Sequence, residues 1–291
     1  MDLRRLGLFL AVAEHGSFTA GARAAHVAQP AVSLAIRELE TELGADLFVR
    51  GRRGAALTAA GEALLEPARQ ALRDIETAAA AVAAVTGLVA GDLDVASLAT
   101  LAADPVAPII GRFRSEHPGV IVRLMAPTDP VELADAVAAG HAEVGVTEQG
   151  AANERLHEVP LYDQDLMLVS PPGRATEPGM RPISLRALAD EPLVLTEPGS
   201  SLRVVVDRAL ESIDRRANCV VETAQREALV PLVLAGAGST VLPAQLASNA
   251  TLLGAIVRDI KPPLRRRVVV VHREGALSPA ARAFLDATFA E

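Results

Sequence analysis

The sequence predicts an α/β protein in three parts. Helical periodicity recurs in separate runs over residues 3–43, an apolar seven-residue repeat follows from residue 59, and beyond Gly91 short alternating stretches and helical stretches take turns. At 291 residues the chain is long enough for one large domain or two ordinary ones.

The first helical run places Leu6, Phe9, Leu10 and Ala13 on one face. The same stretch, "RRLGLFLAVAEH", has the flavour of an export signal, but its apolar run ends at Val12 and Glu14 and His15 follow at once. With no stretch long enough to span a bilayer, the expected location is the cytoplasm and no membrane partner is expected. The second run starts after Gly16 with Ser17 as N-cap and continues through "FTAGARAAH". After a short break at Val27-Ala28 the third run opens with Gln29-Pro30, where proline is tolerated because a first helical turn needs no N–H donor. Val32, Ile36, Leu39 and Leu43 form its buried stripe; Pro30, Leu34, Arg37, Glu38 and Thr41 point away, with Gln29 and Ser33 near the exposed N-terminal end.

Two helices joined by a tight turn, the second polar at its start, fit the major groove of a duplex. An ordinary helical hairpin has the same spacing, and residues 47–58 decide between the two. A short apolar strand leads into "GRRGAALT", a glycine-bounded basic hairpin in which Arg50, Arg52 and Arg53 can meet phosphates without reading sequence. Net charge is −8, yet residues 1–60 hold seven Arg against six acids, whereas residues 91–291 hold nineteen Lys or Arg against twenty-six. A clustered cationic corner therefore sits beside an acidic body. Aromatic residues make up only 2% of the chain, which argues against base stacking.

From Thr58, a plausible N-cap, a helix runs to about Val85. Leu65, Ala68, Leu72, Ile75, Ala79 and Val82 follow steps of three and four, a seam that seeks a partner helix or its own domain. Pro67 inside it should bend or loosen the helix.

The body then reads as strand "DLDVASLA", helix "DPVAPIIGRFRSEH", strand "GVIVRLM", helix "PVELADAVAAG" and strand "AEVGVT". A second set follows: "DLMLVS", "PLVLT", helix "SSLRVVVDRAL", "CVVET", helix "REALVPLVLAGAG" and "STVLP", closed by strand "RRRVVVVH" and helix "SPAARAFLDATF". The alternation predicts a parallel sheet with right-handed crossovers. Ligands bind such sheets beyond the carboxyl ends of strands. That rule selects Ser97 and Thr100 after the first strand, Thr128 after the second, and "TEPGSS" with Gly199, Ser200 and Ser201 opening a helix; Thr147 and Gln225 lie on adjoining loops. Hydroxyls, backbone N–H groups and a helix N-terminus together suit an organic carboxylate.

No catalytic or metal constellation emerges from the spacing. The histidines at 15, 26, 117, 141, 157 and 272 lack ligand spacing and read as solvated or capping groups; Cys219, the single cysteine, reads as a buried inert thiol. "AGAGSTV" lacks the third glycine of a dinucleotide fingerprint and follows a helix, so no cofactor is expected.

The run "MDLRRLGLFLAVAEHGSFTAGARAAHVAQPAVSLAIRELETELGADLFVRGRRGAALTAAGE" resembles the winged helix-turn-helix of LysR-type transcriptional regulators, through three helices, wing and the Leu-Thr-x-x-Gly start of a linker helix. The resemblance implies a DNA-binding domain at 1–58, a linker and dimerisation helix at 59–88, and an effector-binding domain at 91–291. That last domain is similar to periplasmic binding proteins, with one lobe near 91–163 and 266–291 and the other near 164–265. It implies double-stranded DNA and a small-molecule effector as partners, no enzymatic role, and a homodimer or homotetramer. The family usually carries Ser or Thr where this chain has Ala28, and often Arg or Gln at Leu34 and Ala35, which leaves Gln29, Ser33 and Arg37 as the main base-reading candidates. A small-solute-binding protein without a DNA role is the alternative, and it leaves the basic wing unexplained.

Overall fold

A computed structural model describes residues 1–51, 54–85, 91–150, 156–173, 181–275 and 277–290. The chain divides into two compact units, one centred on residues 1–91 and one on residues 92–275 and 281–291.

In the first unit, α1 (Leu3–His15), α2 (Phe18–Ala24) and α3 (Gln29–Leu43) precede the hairpin β1 (Phe48–Gly51) and β2 (Gly54–Leu57), and α4 (Ala59–Val85) follows. The caps anticipated from sequence form: Ser17 Oγ accepts from Ala20 N–H at 3.0 Å and Thr58 Oγ1 from Gly61 N–H at 3.0 Å. Ala28 stands at the N-cap of α3 with no side-chain hydrogen bond. The core gathers Phe9, Val12, Val32, Ile36, Leu39 and Phe48, with the Phe48 ring 5.4 Å from both Phe9 and Phe18. Leu43, expected in that stripe, is instead exposed, because α3 ends there and turns away through Gly44. Glu40 holds the start of β1, its Oε1 accepting from Leu47 N–H at 2.9 Å. The hairpin leans on the α1–α2 turn: Ala55 N–H donates to Gly16 O at 2.8 Å. At Gly54, with φ +130°, a Cβ would lie 2.4 Å from that oxygen, so glycine is required.

Helix α4 runs on through Pro67 for 27 residues. Its seam is divided. Ala68 is buried, and Leu65 and Leu72 pack beside it against the helical core, while Ile75 and Val82 are 46% and 71% exposed and Ala79 is exposed too. The first half of the repeat therefore serves its own domain.

In the second unit β3 (Gly91–Ser97), a short helix α5 (Ala99–Leu101), a π-type turn (Ala102–Val106), α6 (Ala107–Glu116), β4 (Val120–Met125), α7 (Pro130–Ala138) and β5 (Val144–Glu148) come first. The anticipated helix from Asp104 begins only at Ala107: Asp104 precedes a proline and is extended, at φ −153° and ψ 112°. The long strand β6 (Leu156–Ser170) then leads to β7 (Ile183–Ser184), α8 (Leu185–Asp190), β8 (Leu193–Thr196), α9 (Ser201–Glu211) and β9 (Cys219–Thr223). A 3-10 turn (Arg226–Ala228), α10 (Leu229–Leu234), β10 (Thr240–Pro243), α11 (Ala244–Leu252), the strand β11 (Ile256–Arg273) and α12 (Pro279–Phe289) complete it.

The main sheet runs β10-β6-β11-β5-β3-β4, with β7 pairing β11. It is mixed, not parallel as expected: β3 and β5 are parallel, but β11 is antiparallel to both β5 and β6, and β10 to β6. The reason is that β6 carries the chain out of the first lobe and β11 carries it back, so the two crossovers oppose each other over most of their length. Val95, Phe113, Leu133, Val146 and Phe284 are buried in the first lobe; Leu168, Leu193, Val206 and Val233 belong to the core of the second. Cys219, expected inside, is exposed, since β9 pairs only with β8 and forms a sheet edge.

Candidate functional site

The first candidate surface is α3. Gln29, Pro30 and Arg37 are exposed, Ser33 is half-buried, and Leu34 is 58% exposed. Gln29 Nε2 donates to Ser33 Oγ at 2.9 Å, so these two polar groups act as one unit at the start of the helix. Arg5 of α1 is less available, because it pairs with Asp2 at 2.9 Å and with Glu42 at 3.1 Å. Arg50 lies on β1; Arg52 and Arg53 lie outside the described residues. The face offers hydrogen-bonding side chains at the start of the helix and the exposed Arg37 guanidinium midway along it, which suits base edges and phosphates.

The second candidate lies in the second unit, where β6 and β11 cross between lobes. Register pairs Asp165 with Arg265, Gln164 with Arg266 and Asp163 with Arg267. Alternation sends the outer pairs to solvent: Arg265 Nε meets Asp165 at 2.6 Å, and Arg267 grips both oxygens of Asp163 at 2.7 and 2.9 Å. The Arg267 hydrogen bonds hold the Asp163 carboxyl below the usual carboxylate range. The middle pair faces inward, and Arg266 is only 4% exposed.

Its guanidinium donates through Nε to Gln164 Oε1 at 2.8 Å, through Nη1 to Ser201 Oγ at 2.9 Å, and through Nη2 to Thr100 Oγ1 at 2.9 Å. Ser201 Oγ in turn donates to Glu148 Oε2 at 2.6 Å, and Gln164 Nε2 reaches Tyr162 Oη at 3.0 Å and Asp104 Oδ2 at 3.3 Å. Thr100 comes from the first lobe and Ser201 opens α9 of the second, so one buried cation ties both. Burial pulls the Arg266 pKa down to about 10, against the attraction of Glu148 and Asp104. It remains protonated at neutral pH. Burial, helped by Asp104, pushes Tyr162 up to about 12 and keeps neutral the hydroxyl that accepts from Gln164.

The expected hydroxyl cluster is therefore only partly assembled. Thr100 and Ser201 join the network. Ser97 is buried but donates to Leu98 O at 3.1 Å, and Ser200 turns back to Thr196 at 2.5 Å and Glu197 O at 2.8 Å. Gly199 supplies φ +86° for the turn into α9. Thr147 is fully buried, and its hydroxyl has no hydrogen-bond partner in the described chain. Thr128 and Gln225 sit apart, exposed at a rim. There Thr128 pairs with Glu132 at 2.6 Å, and Arg226, beside Gln225, donates to Thr128 O at 2.8 Å across the lobes. The sequence reading missed Arg266, Gln164, Glu148, Asp104, Tyr162 and Arg226.

Comparison with known proteins identifies the two regions by family. Residues 3–62 match the profile described as bacterial regulatory helix-turn-helix protein, lysR family, and residues 86–290 match the LysR substrate binding domain. The chain is 30% identical to the RuBisCO operon transcriptional regulator of Allochromatium vinosum, over 100% of this chain and 96% of that one. It is similar to the solved structure of full-length CbnR with its target DNA, at 25% identity and TM-score 0.68, over 99% of each chain. A full-length OxyR variant from Pseudomonas aeruginosa shares the fold, at 22% identity and TM-score 0.78, over 99% of this chain and 94% of that one.

Proposed function

The chain belongs to the LysR family of transcriptional regulators, and on that premise we propose how its residues divide the work. The protein is a sequence-specific DNA-binding regulator whose action on DNA is modulated by a small-molecule effector. No helix among the described residues is long and apolar enough to cross a membrane; a cytoplasmic location belongs to this reading.

In our reading residues 1–58 grip the duplex, 59–88 link and dimerise, and 91–291 receive the effector. The observation that carries the DNA assignment is the exposed start of α3, with Gln29 and Ser33 hydrogen-bonded and Arg37 exposed on the same face. Gln29 and Arg37 read base edges, with Ser33, Pro30 and Leu34 shaping the contact, while Arg50, Arg52 and Arg53 hold phosphates. Two such modules in a dimer address half-sites about 34 Å apart.

The effector takes the cleft between the lobes, lined by Thr100, Thr147, Ser201 and Arg266, with Ser97, Gly199 and Ser200 behind and Thr128 and Gln225 at the rim. The Arg266 cation and the start of α9 favour an organic carboxylate, which competes with Glu148 for the Ser201 hydroxyl. Because Arg266 and Arg226 each bond across the lobes, an occupant that breaks or replaces those bonds shifts the lobe arrangement.

Gel-shift titration of the full chain on DNA from upstream of its own gene tests the DNA assignment. Gln29→Ala and Arg37→Ala should each cost about 1–3 kcal/mol on the specific site alone. Arg52→Ala with Arg53→Ala should weaken all DNA alike and lower the salt slope by about 2. Equal losses on specific and random DNA for Gln29→Ala and Arg37→Ala would remove α3 from base reading.

A further inference from the structure

The histidines lacked metal-ligand spacing in sequence, but folding brings two of them face to face. His157 on β6 and His272 on β11 are directly paired in the antiparallel ladder, their ring centres 5.1 Å apart and the planes inclined at 52°. Cross-strand neighbours project to the same side of a sheet, so both imidazoles share one face. His157 is exposed and His272 half-buried, so an ion can reach them from solvent.

The second observation fixes a tautomer. His272 Nδ1 lies 2.8 Å from the Arg273 carbonyl oxygen, an acceptor, so that nitrogen carries the proton. In the neutral ring the lone pair then resides on Nε2. A backbone carbonyl on one ring nitrogen is the arrangement that orients metal-binding histidines. The spacing agrees as well. With a zinc–nitrogen bond of about 2.0 Å and a ring nitrogen about 1.1 Å from its ring centre, two imidazoles on a tetrahedral ion have centres about 5 Å apart.

The geometry points to a two-histidine clip for a divalent transition-metal ion, formed by His157 and His272 across the two strands that connect the lobes. Imidazole selects ions such as Zn²⁺, Ni²⁺ and Cu²⁺ over Mg²⁺ and Ca²⁺. No group of three or more His, Cys, Asp or Glu forms a metal cluster among the described residues, so water completes the coordination. The ion is held moderately and exchanges freely. Because both ligands sit on the crossover strands, occupancy fastens β6 to β11 at their first-lobe end, independently of the DNA and effector assignments.

Titration calorimetry of the full chain with ZnCl₂ and NiCl₂, and Cu²⁺ electron paramagnetic resonance, test the clip. Wild type should take up one ion at this site, with two nitrogen couplings in the Cu²⁺ spectrum. His157→Gln and His272→Gln should each weaken uptake roughly tenfold or more and leave one coupling, while His15→Ala changes neither. Circular dichroism verifies that each variant is folded. Absence of uptake by wild type, or uptake and couplings unchanged in both glutamine variants, overturns the clip and leaves the regulator assignment standing.

Discussion

At the scale of single residues, Arg266 and Thr147 show opposite treatments of a buried polar group. Arg266 is desolvated, yet three neutral acceptors receive its N–H groups and two carboxylates sit in its field. Removing it leaves the half-buried Glu148 and Asp104 without their cation. Arg266→Met should therefore destabilise the protein by about 3–5 kcal/mol, and adding Glu148→Gln should return part of that loss. Urea unfolding of the two single variants and the double variant measures the coupling; strictly additive losses would mean that Glu148 does not depend on Arg266. Thr147 is the reverse case, a fully buried hydroxyl with nothing to bond among the described residues. Valine has nearly the same shape without the unmet polar atom. Thr147→Val should raise unfolding stability by about 1 kcal/mol and weaken effector binding by a similar amount. Calorimetry with an effector carboxylate separates the effects, and unchanged affinity would take Thr147 out of the pocket.

At the scale of elements, α3 carries the clearest local defect. Its N-cap is Ala28, which leaves the first N–H groups without a side-chain acceptor, and Ala28→Ser supplies one. The change should stabilise the winged module by about 1 kcal/mol and tighten binding to all DNA by placing a hydroxyl near the phosphates. Thermal unfolding and gel shift on random DNA check both halves; a rise in stability without tighter binding would place Ala28 away from the backbone of the duplex. The same helix shows what sequence can disclose. Its stripe, its break and its polar start were legible because a 3.6-residue period and local capping decide them. The inter-lobe network was legible only in retrospect. "DQD" and "RRR" match, two charge pairs flanking an amide and a guanidinium, once register pairs residues 163–165 with 267–265, but no local rule announces a pairing one hundred positions apart. The front half of β6, "LHEVPLYDQ", went unread because its ladder shifts register opposite Val268 and Val269, which breaks the alternation that marks a strand. The seam of α4 was visible, but a heptad pattern cannot say whether its partner is the same domain or another chain, and here Leu65, Ala68 and Leu72 go to the former.

For the whole molecule, the question is what the rest of that seam does. Helix α4 is about 40 Å long at 1.5 Å per residue, and beyond Leu72 it presents Ile75, Ala79 and Val82 to solvent. Each large apolar side chain taken out of water contributes up to about 1.5–3 kcal/mol, and a two-fold pairing counts every position twice. Several kilocalories per mole per dimer are therefore available on a surface the winged core leaves uncovered. The charge distribution adds a reason to expect that dimer. The first sixty residues are close to neutral and the body holds twenty-six acids against nineteen bases, so a single module has little general attraction for a polyanion and must gain affinity from two linked grips. Val82→Asp places a charge at the C-terminal end of the proposed pairing surface while touching nothing in the described core. Sedimentation velocity should show wild type at least dimeric and the variant shifted toward monomer, with binding to a two-fold related site falling by about 100-fold or more as the second grip is lost. Binding to an isolated half-site should stay unchanged, since the Gln29 and Arg37 face is untouched. A variant that remains dimeric and keeps its affinity for the paired site would move the oligomer interface off α4.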